Sequence, residues 1–128
     1  MTPVERRRFD AAGNATRSHG DYPAAMIQLG AATHVPVIDL TTSSLRLWDQ
    51  LGVAGTTGYF LWLNPGDSPN YPDGIQDNTH FKAHGAIEVA RLVARALAAG
   101  HILPRHSLVH LSDPIPDTAL TWPADIPA

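Results

Sequence analysis

The sequence predicts an α/β chain that forms one part of a larger parallel-sheet domain. Three observations carry this. Helical and extended signals alternate as helix, strand, helix, loop, helix. One short β-branched run supplies the strand, and residues 1–4 are a candidate tail end of another. A parallel sheet needs several strands covered on both faces, and one convincing strand cannot make it.

Residues 1–20 show no apolar period. Within them "DAAGN" reads as a turn, because Gly13 and Asn14 tolerate left-handed backbone. The run Arg6-Arg7-Arg8 is expected to be a solvated face, since adjacent arginines cannot all point at one ligand. Asp21 with Pro23 marks a helix start, and Ala25, Met26, Leu29 and Ala32 continue it as an apolar stripe to about residue 33. His34 ends that helix, where a cation is favoured. "VPVIDL", 35–40, reads as a buried strand. Thr41 or Thr42 is the expected cap of a second helix carrying Leu45, Leu47, Trp48 and Leu51, closed by Gly52 and Gly55. Ser43 and Ser44 fall at its start and read as capping residues.

"YFLWL", 59–63, fits a helical turn or a strand, and a polar loop is expected from 64 to 78. The strongest helix signal is "GAIEVARLVARALAA", 85–99: Ala86, Val89, Ala90, Val93 and Leu97 share a face, Glu88 can pair with Arg91, and Gly100 stops it. Residues 1–100 are thus expected to belong to one domain. Residues 101–128, with five prolines and no lasting period, are expected to be a proline-rich extension over the surface.

Composition removes several function classes. Hydrophobic residues make up 44% and charged residues 16%, with a net charge of −3. That balance gives no general pull toward nucleic acid, and no basic-aromatic interleaving offers base stacking. No apolar run approaches the roughly 20 residues of a membrane span, and the opening "MTPVERRRF" lacks the apolar core of a secretory signal. There is no cysteine, which leaves the compartment open.

Chemistry concentrates in "NPGDSPNYPDGIQDNTHF", residues 64–81. Asp77 and His80 are three apart, close enough for the carboxylate to accept from the imidazole Nδ1–H. The carboxylate would then fix the tautomer and stabilise the imidazolium formed when Nε2 takes a proton. Taken alone, such a spacing also describes caps and surface ion pairs. Ser68 completes a Gly-Asp-Ser, but prolines 69 and 72 and Gly74 follow it rather than a helix, so it is expected to be an ordinary loop serine. Ser18 beside His19 is only a sequence neighbour, a poor basis for a dyad. His80 and His84 with Asp77 pass a first metal test, but a helix starting at Gly85 breaks their helical spacing. His101, His106 and His110 are irregularly spaced, and no metal or other cofactor is expected.

"DNTHF" followed by "GAIEVARLVARAL" closely resembles the last block of the SGNH (GDSL-type) hydrolases. With "TPVERRRFDAAG", "HGDYPAAM", "VPVIDLTTSS" and "NYPDGIQDNTHF" in that order, the chain looks most like the rhamnogalacturonan acetylesterases, from about Thr2 to Leu97. The resemblance implies the C-terminal part of a three-layer α/β/α, flavodoxin-like domain, with Asp77 and His80 as catalytic residues. It also implies a nucleophilic serine, an oxyanion-hole glycine and an oxyanion-hole asparagine, which lie earlier in the family and match no position here. The expected substrate is an acetylated pectic polysaccharide or oligosaccharide, with Asn70 and Tyr71 as cleft-lining candidates by position. The resemblance gives no nucleic-acid or membrane partner. The alternatives are a non-catalytic α/β piece that binds a carbohydrate or partner chain, or an esterase of the superfamily acting on a different ester.

Overall fold

A computed structural model describes residues 1–116. Helix α1 spans Tyr22–Thr33, α2 Leu40–Gly55 and α3 Ala83–Ala99. Strands β1, Phe60–Leu63, and β2, Ile75–Phe81, pair antiparallel, and 3₁₀ turns follow at Thr56–Gly58 and Arg105–Ser107. The fold is mixed α/β among the described residues. None of the described helices is long and apolar enough to cross a membrane.

Helix α1 begins after Asp21, which makes no side-chain cap bond, and ends at His34 in the left-handed conformation (φ 56°). Its apolar stripe is not buried: Met26 and Leu29 are exposed, Leu29 to 64%, and only Pro23 and Gly30 are enclosed. Helix α2 is capped by Asp39 rather than Thr41 or Thr42. The Asp39 carboxylate accepts from the Thr42 N–H (3.1 Å) and the Thr42 hydroxyl (2.6 Å). Thr41 instead donates its hydroxyl to the Pro3 carbonyl, and Ser44 accepts from the Glu5 N–H, so both serve to bind the N-terminal segment. Ser43 back-bonds to the Asp39 carbonyl. Gly52, at φ 68°, interrupts α2 where a side chain would be strained. Replacing Asp39 with alanine should cost about 1 kcal/mol, measurable as a lower denaturation midpoint.

Residues 35–39 are not a strand. Val35 is 58% exposed, and besides local turn and helix bonds the segment's backbone bonds to a distant segment through the Thr2 N–H donating to the Ile38 carbonyl. A β-branched run becomes a strand only where a neighbour completes its ladder. The polar loop expected to 78 is also shorter, because β2 starts at Ile75 and pairs with β1, which settles "FLWL" as a strand. Helix α3 begins two residues earlier than expected. Its face is half-covered: Val89, Val93 and Leu97 are partly buried, while Ala86 and Ala90 are exposed. Glu88 and Arg91 pair at 2.7 Å.

The core sits between α2 and the strand pair. Trp48 is fully buried, edge-on to Phe60 (5.0 Å between ring centres) and Tyr59 (6.0 Å), and Phe60 also meets Phe81 at 4.9 Å. Gly85 permits α3 to lie against this layer: a Cβ there would stand 2.1 Å from the Tyr59 carbonyl oxygen. The described part of the extension follows α3, with Arg91 and Arg95 donating to the carbonyls of Asp113 and Leu111. The expectation for 117–128 lies outside the described residues.

Candidate active site

Strand β2 is where the candidate residues lie, and it is not regular. Phe60 pairs with Phe81 and Trp62 with Gln76, so Asp77, Asn78, Thr79 and His80 together oppose the single residue Leu61. A bulge of this kind re-aims side chains away from the pleat. Asp77 organises it: Oδ1 accepts from the N–H groups of Thr79 (2.6 Å) and His80 (2.9 Å). Its Oδ2 lies 2.6 Å from His80 Nδ1.

These bonds fix the electrostatics. The His80 backbone N–H, then the His80 ring and the Thr79 N–H, hold the Asp77 carboxyl down at about 2. An ionised carboxylate only accepts, so the proton in the 2.6 Å contact belongs to Nδ1. His80 is therefore presented with Nε2 free as a base, and its side chain is 74% exposed. A depressed carboxylate contributes stability that is present above the unfolded value of 3.8 and lost as pH falls through about 2. Carboxylate ¹³C shifts followed against pH should accordingly place the Asp77 midpoint near 2, with the bulge holding its shape until pH drops below 4.

A contact alone does not make a site. His110 and Asp113 form a second i,i+3 pair at 2.7 Å, but both are well exposed on the extension. What distinguishes Asp77 and His80 is that the backbone between them is held. The Asn78 carbonyl accepts from the Arg7 N–H (2.9 Å), and its side-chain oxygen accepts from Arg7 Nη1 (3.2 Å) and Trp62 Nε1 (3.0 Å). Arg7 is thus not a solvated residue. Only Arg6 and Arg8 of the arginine run are exposed. Sequence gives one hint, a cation near aromatic residues, and nothing that would name Asn78 or Trp62.

The Gly-Asp-Ser match is a turn. Asp67 Oδ2 accepts from the Asn64 N–H (2.7 Å), Ser68 Oγ accepts from the Asn70 N–H (3.3 Å), and Ser68 is 2% exposed. No helix follows until α3. Asn70 is exposed, Tyr71 is partly buried, and their backbone N–H groups close turns onto Ser68. Ser18 donates to the buried Glu5 carboxylate at 2.5 Å, while His19 Nε2 lies 2.9 Å from the Val4 carbonyl oxygen, so the two face different partners. His84 stacks on Tyr59 (4.6 Å). Among the described residues no three His, Cys, Asp or Glu side chains are grouped to hold a metal ion.

A bulge presenting a carboxylate-oriented imidazole can accept a proton at Nε2 and return it. Two known proteins resemble the chain. The chain is 46% identical over 97 residues to rhamnogalacturonan acetylesterase RhgT of Bacillus subtilis (strain 168), covering 76% of this chain and 42% of the relative. It is 34% identical over 97 residues to the probable rhamnogalacturonan acetylesterase YesY of the same organism, covering 76% of this chain and 40% of that relative. No family model matches the chain, and no solved structure matches it. These matches support an SGNH-type esterase relationship over a partial region, and the chain spans about two fifths of the length of these relatives.

Proposed function

We propose that this chain is the C-terminal, acid–base part of a carbohydrate esterase that hydrolyses acetyl esters on a pectic rhamnogalacturonan. The observation that carries the reading is the 2.6 Å Asp77–His80 contact within a held bulge, in a chain 46% identical to an acetylesterase. In the complete site His80 Nε2 takes the proton of a serine hydroxyl as that oxygen attacks the acetyl carbonyl, then returns it to the sugar oxygen as the C–O bond breaks. Water then attacks the acetyl-serine by the same route and releases acetate. Asp77 holds the imidazole and offsets its positive charge. The nucleophile and the oxyanion donors come from sequence outside these residues, since Ser68 is enclosed in its own turn. No step requires a metal.

The complete domain is a three-layer α/β/α structure. One feature supports this. The faces left open are apolar: Met1, Met26, Leu29, Val35, Pro36 and Val37 line a groove of about 410 Å³. An apolar groove of this kind is a surface that a further layer of the domain would cover.

The test is reconstitution. The N-terminal part of a related acetylesterase, carrying its serine and oxyanion donors, is added to this chain, and acetate release from acetylated rhamnogalacturonan oligosaccharides is followed. Release should need both pieces. Robust hydrolysis by this chain alone, lost on a serine substitution within it, would refute the division of labour. Binding of the oligosaccharide by this chain with no turnover in any mixture would favour a carbohydrate-binding module.

A further inference from the structure

We infer that Arg7 is a positioning residue: it locks the Asp77–His80 bulge in its working shape by tying Asn78 to the end of helix α2. The inference rests on the esterase reading for its consequence, but the geometry stands by itself. Four residues facing one on the partner strand lack ladder bonds of their own and need other anchors. Asp77 closes the bulge internally, through Thr79 and His80. The external anchor is Asn78, whose main-chain and side-chain oxygens are both engaged by Arg7.

Arg7 can act as a fixed post because its other donors are committed. Nε donates to the Thr56 hydroxyl (3.0 Å) and Nη2 to the Val53 carbonyl (2.7 Å), at the end of α2 beyond the Gly52 kink. Its guanidinium lies over the Trp62 ring, 4.2 Å from the centre, while the Trp62 N–H reaches the same Asn78 oxygen. The fork is planar and rigid, so three acceptors are held in one geometry that a lysine ammonium could not span. Rotating Asn78 would carry Asp77 and Thr79 with it, and His80 through its bonds to Asp77. The arrangement therefore transmits a position set by α2 to the Nδ1–Oδ2 contact. Arg7 makes no hydrogen bond to His80 or Asp77.

The test uses the whole 128-residue chain and reads the His80 tautomer by ¹H–¹⁵N NMR from neutral to alkaline pH. The chain should show His80 as the Nδ1–H form with a low-field Nδ1 proton. Arg7→Met should reduce that form severalfold and broaden the low-field signal, while the indole N–H resonance of the buried Trp48 stays in place. Asn78→Ala, which leaves Arg7 its α2 partners, should do the same, and the double variant should be no worse than Arg7→Met alone. In the reconstituted esterase Arg7→Met should lower kcat about 10²-fold, the loss expected from a misplacement near 1 Å, with KM little changed. Arg7→Met with an intact core and an unaltered tautomer would overturn the inference. If that variant loses the Trp48 signal, Asn78→Ala decides, and an unaltered tautomer there overturns it equally. A reconstituted native pair without turnover would sink the esterase reading, yet leave the tautomer comparison to judge Arg7.

Discussion

Replacing His80 with alanine is expected to abolish acetate release in the reconstituted esterase, with kcat falling by about 10⁶-fold, as when the histidine of a triad is removed. Without Nε2 no group removes the serine proton, and none returns it to the leaving sugar oxygen. Asp77→Asn is the sharper probe. The asparagine Oδ1 can still accept from the Thr79 and His80 N–H groups, so the bulge keeps its bonds. Its amide nitrogen, however, replaces the oxygen that faces Nδ1 at 2.6 Å. An amide donates there, which drives the imidazole proton to Nε2 and removes the base. The expected loss is about 10⁴-fold in kcat. Substrate affinity should change little in either variant, since neither side chain holds the sugar. The isolated chain should show no turnover above its Ser68→Ala variant, because an oriented imidazole alone supplies about 10²–10⁴-fold. Wild-type turnover from an Asp77→Asn mixture would show that the 2.6 Å contact serves structure only.

What could be read from sequence follows how local each signal is. The helices α2 and α3 were legible because their apolar positions repeat within a few residues, and Gly100 marks an end. Asp77 and His80 were legible as a touching pair because three residues of separation brings them together in almost any turn. Strand β2 was not, because Gln76 to His80 are polar and most of them bulge away from β1, so neither alternation nor apolar content marks them. "VPVIDL" is the opposite case: its β-branched residues suit a strand, but among the described residues no strand lies beside it. Arg7 was hidden by distance. Its acceptors on Val53, Thr56 and Asn78 are 46, 49 and 71 positions away, where no periodicity reaches. The α1 stripe is apolar in sequence, but its burial depends on surface that these residues do not supply.

Trp48→Ala is expected to have the largest effect on stability, about 3–5 kcal/mol, enough to unfold a chain with open apolar faces. Trp48 is fully buried, and its ring meets Tyr59, Phe60 and Phe81 at centre distances of 6.0, 5.0 and 6.2 Å. It is thus the contact that joins α2 to both strands. Its indole N–H also donates to the Glu5 carbonyl (3.0 Å), next to the Glu5 N–H that Ser44 accepts. Alanine would leave a void at the centre and an enclosed carbonyl without a donor. Trp48→Phe weights the two losses differently: it keeps most of the ring contact and removes the donor, whose loss costs about 1–3 kcal/mol. Because Glu5 stands two residues before Arg7, loosening it should also weaken the hold on Asn78. In Trp48→Phe the His80 tautomer should therefore shift before the chain unfolds. Denaturation followed by far-UV circular dichroism, with and without the N-terminal part of a related esterase, measures the stability change. A Trp48→Ala chain that kept its denaturation midpoint would show that the aromatic cluster is not what holds the strands to α2.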